Sequence, residues 1–187
     1  NDNESINNAN FKYDVIIPTI GRYKYLPGAI ESMLSQSIRP SKIIIVDQNN
    51  DQFRKDIYDR YDKSVIKVIK QKRNGQSLAR NTGLKLVQSP FVFLFDDDST
   101  CDKDLVLKHF LSLNDGKYDI STGVSYPPNS KKYTLPNYSR FPRSANTFDT
   151  GNVLIPLKIF KKHGGLDRNY DYGPGTDSDL GTRLHLN

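Results

Sequence analysis

The 187-residue sequence has a single cysteine, Cys101, so an internal disulfide is excluded. It has no long apolar run either. Phe91–Phe95 and Ile43–Val46, the longest, fall far short of the ~20 residues that span a bilayer, and no signal-peptide pattern opens the chain. A soluble intracellular protein is therefore expected. Neither GxGxxG nor GxxxxGK[ST] occurs in the first strand-to-helix crossover, which excludes the dinucleotide fingerprint and the phosphate-cradling P-loop there. Cys101 lies beside an acidic cluster, but a lone cysteine is more often a small packing residue than a nucleophile.

The composition is that of a globular chain, with 36% hydrophobic and 26% charged residues, and the length fits one domain. Net charge is +6, with Lys67, Lys70, Lys72 and Arg73 in one cluster and Lys158, Lys161 and Lys162 in another. That balance favours anionic partners without choosing between nucleic acid, a membrane surface and a phosphorylated small molecule; a solvated basic face would look the same.

The strongest local signal is the run Phe91-Val92-Phe93-Leu94-Phe95 followed at once by Asp96-Asp97-Asp98-Ser99. Packing does not explain three adjacent carboxylates at the mouth of an apolar strand. Unit charges ~4 Å apart repel by about 4 kcal/mol at an effective dielectric of ~20, so a metal ion, basic side chains or protonation must neutralise them. A hard divalent ion such as Mg²⁺ or Mn²⁺ takes oxygen ligands and shares them with substrate phosphates. Strand alternation predicts that Asp96 and Asp98 face one cleft while Asp97 points elsewhere. A plainer alternative is an acidic turn capping a helix from Asp102 onward. A calcium loop fits worse, since Cys101 stands where glycine is needed and Leu107 where a bidentate Glu is needed.

Along the chain, residues 1–12 read as a disordered, asparagine-rich tail before one domain over 13–187. Tyr13–Pro18, Ile43–Val46 with Asp47, Val65–Ile69 and Phe91–Phe95 read as buried strands. Between them, Leu26–Ser37, Asp51–Tyr61 and Gln76–Val87 read as helices. Such alternation implies right-handed crossovers and a mainly parallel α/β sheet flanked by helices, with ligands bound beyond the carboxyl ends of the strands. Further on come a helix bearing Val106, Phe110 and Leu113, a strand over Asp119–Val124, a long proline-rich loop over 127–143 read as a flap, a strand over Gly151–Ile155 and a short helix over Leu157–His163. Thr176 can cap a last helix with Asp177 and Asp179 in its first turn. The sequence stops at Asn187, so either that helix is short or more chain belongs after it.

Seven motifs in register from Tyr13 to Leu184 carry a resemblance. They are Ile16-Ile17-Pro18-Thr19, Ile45-Val46-Asp47, Arg73-Asn74-Gly75 with Ala79-Arg80-Asn81, Phe95-Asp96-Asp97-Asp98, Thr150-Gly151-Asn152, Gly164-Gly165-Leu166-Asp167, and Asp177-Ser178-Asp179-Leu180 with Arg183. Together they resemble the family 2 glycosyltransferases of the GT-A fold, a Rossmann-like α/β architecture. The resemblance implies inverting transfer of a sugar from a nucleotide diphosphate donor, usually UDP-linked, to a carbohydrate or lipid-linked acceptor, assisted by Mn²⁺ or Mg²⁺. Carried over by position, Pro18 and Thr19 line the nucleotide pocket, Asp47 bonds the base, and Asn74 and Arg80 complete that pocket. Asp96 touches the ribose, with Asp97 beside it, Asp98 binds the metal with Asp96 nearby, and Asp177 is the general base. A polysaccharide-building enzyme in the cytoplasm, at the inner face of a membrane, is the implied setting, and the basic clusters fit a lipid-linked or polyanionic acceptor.

Two departures bear on this. Gln48-Asn49-Asn50 follows Asp47 where the family commonly has Asp, Gly and Ser, and Thr176 stands where Glu usually precedes the base. His185 is too close to Arg183 to be assigned to a metal. A phosphohydrolase of the haloacid dehalogenase type is the rival enzyme, with Asp96 as phosphorylated nucleophile and Asp98 as general acid. A catalytically silent nucleotide-sugar-binding protein is a further alternative. A nucleic-acid module is disfavoured because a carboxylate triplet repels phosphates.

Overall fold

A computed structural model describes residues 11–50, 53–114, 118–127, 149–172 and 175–185, without the side chains of Asp177 and His185. β-Branched runs form the centre of the fold: β1 (Tyr13–Thr19), β2 (Lys42–Asp47), β3 (Ile66–Lys70) and β4 (Phe91–Phe95) pair in parallel. Two more strands, β5 (Ser121–Thr122) and β6 (Asn152–Pro156), extend the sheet antiparallel. The order β3-β2-β1-β4-β6-β5 places the chain's reversal of direction between β1 and β4. In an open parallel sheet that is where a ligand crevice forms.

Alternation along β1 sorts the core into two layers. Tyr13, Val15 and Ile17 meet α1 (Leu26–Leu34) and α3 (Leu105–Asn114) through Ile30, Met33, Val106 and Phe110. Ile16, with Val92, Leu94 and Val153, meets Phe160 of α4 (Leu157–His163) and Leu180 of α5 (Thr176–His185), while Ile44 and Val46 meet Ala79 of α2 (Gln76–Leu84). Both faces are covered, which is why β1, β2, β4 and β6 are buried along most of their length, while β3, with Lys67 and Lys70, is more exposed.

Several elements differ from the sequence expectation. Phe11, left in the tail by its neighbours' polarity, is buried and lies 4.4 Å from the Phe110 ring and 5.1 Å from Phe91. The helix expected over Asp51–Tyr61 reduces, among the described residues, to a 3-10 turn at Lys55–Ile57. Arg54 pairs there with Asp56 at 2.6 Å, a two-residue spacing that a helix would splay apart. The strand expected over Asp119–Val124 shrinks to Ser121–Thr122, an edge element with one neighbour. α3 is not capped by the acidic turn: buried Gln36 accepts from Val106 N at 3.0 Å and donates to Asp102 O at 2.9 Å. Residues 1–10 of the expected tail and 128–143 of the expected flap lie outside the described residues.

Asn152 joins α3 to the sheet. Its Oδ1 is 3.0 Å from His109 Nε2, and His109 Nδ1 is 2.8 Å from Ser121 Oγ. Burial pushes the His109 pKa down to about 4. The unfolded chain, with an ordinary imidazole near 6.5, binds the proton first, so His109 contributes stability above pH 6.5 that is lost as pH falls toward 4. The loss is on the order of 3 kcal/mol from this group. Urea unfolding at pH 7 and pH 4.5 should show it in the wild type, and His109→Gln should flatten the difference; equal slopes with pH in both proteins would refute the assignment.

Candidate active site

The carboxyl ends of β1, β2 and β4 carry the polar groups that the sequence singles out. Thr19 sits opposite Asp47 in the β1–β2 register, with Pro18 one step inside. Period-two alternation stops at Phe95, because Asp96–Ser99 form a turn closed by Ser99 N to Asp96 O at 3.4 Å. The expected division of the acids is thereby corrected. Asp97 and Asp98 share one guanidinium: Arg22 Nη1 lies 3.2 Å from Asp97 Oδ1 and 2.8 Å from Asp98 Oδ2. Asp96 Oδ1 instead receives buried Arg80 at 2.7 Å. Basic side chains thus supply the neutralisation that the triplet requires.

They do not supply all of it. Burial raises the pKa of Asp96 against the lowering pull of Arg80, with Asp149 and Asp98 adding to the rise. Burial also raises Asp97, opposed by Thr19 and Arg22. Gly151, at the start of β6, leaves room for this packing: a Cβ there would collide with the Asp96 carboxylate.

Asp47 is buried and already holds four donors. Tyr23 and Tyr58 hydroxyls each lie 2.6 Å from Oδ2, while Asn49 N and Nδ2 lie 2.8 and 2.9 Å from Oδ1. Donation to this carboxylate and burial push the Tyr23 hydroxyl up to about 12, burial being the larger cause. The residues that depart from the family's usual Asp-Gly-Ser have architectural work. Gln48 Oε1 accepts Gly75 N at 2.8 Å, and Asn49 Oδ1 accepts Gly21 N at 2.5 Å, so the ends of β1, β2 and the start of α2 are tied together.

Asn74 stands exposed at the lip of this edge, its carbonyl accepting the Tyr172 hydroxyl at 2.8 Å. Beside it, buried Asp171 caps α2 from 93 residues away by accepting Leu78 N at 2.8 Å. Gly75 is required for that approach, since a Cβ would sit 2.6 Å from the Asp171 carboxyl carbon and its φ is +154°. Thr176 does not act as the expected cap. Asp179 N bonds Gly175 O, and the buried Thr176 hydroxyl lies 3.2 Å from Ser77 Oγ in the first turn of α2. The first turn of α5, which contains Asp177, is therefore held against the α2 N-terminus, while the Asp177 side chain lies outside the described residues. Asp179, the other acid of this turn, is engaged by Arg183 at 2.7 and 3.0 Å. Asn81 clamps the turn after α4 by donating to Leu166 O at 2.7 Å and accepting Leu166 N at 2.9 Å.

Among the described residues no three acidic, imidazole or thiol side chains form a ready-made metal cage. Mg²⁺ and Mn²⁺ do not need one, since one or two carboxylates plus water and phosphate oxygens complete their shell. Asp98 and Asp96, with 40% and 37% of their side chains exposed, are carboxylates of that hard-oxygen kind, held in this structure by Arg22 and Arg80 respectively. Two buried polar atoms at the same edge lack a hydrogen bond of ordinary geometry: Arg80 Nε, and Thr19 Oγ1, which nonetheless lies near enough to Asp97 to favour its charged form. Thr19 and Arg80 thus border Asp97 and Asp96 at the acidic turn. A separate cavity of about 480 Å³ against β3 is walled by Phe53, Tyr58, Ile66 and Val68 under surface lysines. Asp59 and Lys42, Lys55, Lys63 and Lys67 also line it, and none of the residues of the acidic turn does.

Sequence reasoning missed Arg22, Tyr23, Tyr58, Asp149 and Asp171. No local pattern marks them, because each acquires its role through a partner distant along the chain.

Residues 14–167 match the family described as Glycosyl transferase family 2. The poly(ribitol-phosphate) beta-N-acetylglucosaminyltransferase TarP of Staphylococcus aureus is 34% identical over 176 residues, covering 84% of this chain and 51% of TarP. The putative teichuronic acid biosynthesis glycosyltransferase TuaG of Bacillus subtilis is 30% identical over 97 residues, covering 50% of this chain and 38% of TuaG. This chain thus spans about half the length of TarP, or less of TuaG. Among solved structures, S. aureus TarS 1-349 in complex with UDP-GlcNAc superposes with a TM-score of 0.70 at 19% identity, over 94% of this chain and 54% of that one. The mannosyltransferase PcManGT from Pyrobaculum calidifontis, in complex with GDP-Man and Mn²⁺, gives 0.71 at 16% identity, over 90% and 50%. The phosphohydrolase reading gains no support from any of these. With most of its length matched and its strands, acidic turn and Asn81 clamp in the expected order, the chain belongs to glycosyltransferase family 2.

Proposed function

We propose that this domain transfers a sugar from a UDP-linked donor to an acceptor hydroxyl with inversion at the anomeric carbon. The observation that carries the reading is the carboxyl edge at the β1/β4 switch point, where the acidic turn Asp96–Asp98 meets buried Thr19 and buried Arg80. Pro18, Thr19, Asn74 and Arg80 line the nucleotide. Asp47 takes the base edge, which can replace the partly exposed Tyr23 hydroxyl while buried Tyr58 and Asn49 keep the carboxylate in place. Asp96 and Asp97 flank the ribose and diphosphate. Asp98, with Asp96, would hold Mn²⁺ or Mg²⁺, which when bound supplies charge stabilisation for the departing diphosphate.

Asp177 removes the acceptor hydroxyl proton as that oxygen forms its bond to the anomeric carbon. The bond from that carbon to the diphosphate breaks on the opposite face, and the diphosphate leaves with the electron pair. Arg183 holds Asp179 aside, which supports Asp177 as the base. The net charge of +6 and the likeness to TarP support an anionic polyol-phosphate or glycan chain as acceptor, met at the cytoplasmic face of a membrane. Among the described residues no helix is long and apolar enough to cross a membrane.

Thermal shift across UDP, UDP-GlcNAc, UDP-glucose and GDP-mannose, with Mn²⁺ or with chelator, tests the donor half. A ligand at 100 times its Kd stabilises by about 2.7 kcal/mol, or roughly 5–10 °C for a chain of this size. The uridine compounds with Mn²⁺ should give that shift. No shift with any of them, or Asp96-dependent phosphate release from an aryl phosphate, would overturn the reading. A shift without any sugar transfer or donor hydrolysis would favour the silent binding protein.

A further inference from the structure

Arg22 occupies the carboxylate on which the metal-assisted reading depends. Its Nη1 lies 2.8 Å from Asp98 Oδ2 and 3.2 Å from Asp97 Oδ1, with 52% of the side chain exposed. The main chain beneath it is fixed: Gly21 N is held by Asn49 Oδ1, and Arg22 O accepts Tyr25 N at 2.9 Å and Leu26 N at 3.2 Å at the entry to α1. A rooted backbone thus carries a head group with open solvent on one side. The two carboxylates it bridges are unequal, since Asp97 is 5% exposed and Asp98 is 40% exposed. Asp97 keeps the guanidinium close when Asp98 is taken by another cation. A guanidinium and a divalent ion on one carboxylate repel each other, so occupancy by one disfavours the other. The planar fork of arginine suits phosphate oxygens as well as carboxylates.

We propose that Arg22 is the resident counter-ion of the Asp97–Asp98 pair, that it competes with the divalent ion for Asp98, and that its displacement turns the guanidinium onto the donor's diphosphate. The inference rests on the metal-assisted reading above. It gives the charge traffic a closed form: the ion brings two positive charges, the diphosphate of the donor brings two negative ones, and the arginine passes from one anion to the other without leaving the site. In the unloaded protein the same contact offsets part of the charge of the acidic turn, so like-charge repulsion at the edge is reduced.

The test uses the 187-residue chain as wild type, Arg22→Gln and Arg22→Lys, with folding checked by circular dichroism. Mn²⁺ affinity is measured by calorimetry without nucleotide, and UDP affinity at saturating Mn²⁺. Arg22→Gln is expected to bind Mn²⁺ about 10-fold tighter, and UDP about 10-fold more weakly. Arg22→Lys, a point charge without the fork, should fall between on both measures and carries the same test should the glutamine variant not fold. Mn²⁺ affinity unchanged or reduced in the variants, with the wild type binding the ion, overturns the competition alone. Neither wild type nor variant binding Mn²⁺ overturns the metal-assisted reading along with it.

Discussion

Asp177→Asn is expected to leave UDP affinity within about twofold of wild type and to lower sugar transfer by a factor of about 10²–10⁴, the usual contribution of a positioned general base. The amide keeps the size and much of the hydrogen bonding of the carboxylate but cannot accept the proton that the acceptor hydroxyl must lose. No neighbour in the turn can take over. Asp179 is gripped by Arg183, which also reaches the carbonyl of Gly165 at 2.7 Å, so freeing that carboxylate would unpick the contact between α5 and the turn after α4. Thr176 is committed to Ser77 and has no carboxylate to offer. Initial rates of UDP release with and without acceptor, beside a calorimetric UDP titration, separate the two effects. Transfer within tenfold of wild type would remove Asp177 from the mechanism, and loss of UDP binding would reassign it to the donor pocket.

The second large effect belongs to Asp98. Asp98→Ala should abolish the part of UDP binding that responds to Mn²⁺, a loss of about 100-fold or more where outer-shell changes already cost 10–100-fold in metal affinity. The fold should survive, because Asp98 is partly exposed and Arg22 retains Asp97. The comparison is the UDP Kd of both proteins in Mn²⁺ and in chelator. The wild type should tighten on adding the ion, and the variant should show one weak value in both buffers. Tight chelator-independent binding by the variant would count against any metal on this carboxylate. Asp96→Ala is a poorer probe of the same point, since it also leaves the buried Arg80 guanidinium without its partner, a change that destabilises whatever the function.

What the sequence determined by itself is the scaffold and the family. Apolar β-branched runs too short to span a membrane, separated by helical spacing, admit few arrangements other than a parallel sheet covered on both faces, and β1 to β4 form it. An apolar strand ending in Asp96-Asp97-Asp98 singled out the candidate edge because burial and charge conflict there. The motif order was legible because most of the motifs begin or end an element, where backbone geometry restricts the residues allowed; Ala79-Arg80-Asn81, inside α2, is an exception. The helix expected over Asp51–Tyr61 failed because charge periodicity is a weak signal beside the aromatic contacts that draw Phe53 and Tyr58 onto the sheet, their rings 5.8 Å apart and the Tyr58 hydroxyl on Asp47.

Only the tertiary structure decided who neutralises whom. Arg22 meets Asp98 across 76 residues, Asp171 caps α2 across 93, and Ser77 meets Thr176 across 99. Those pairings depend on strand order and on the turn that breaks alternation after Phe95, neither of which is written in local spacing. The sequence supplies the carboxylate, but its burial and its partners in space set both its protonation and what its charge can do, because electrostatic interactions act over a few ångströms whatever length of chain lies between.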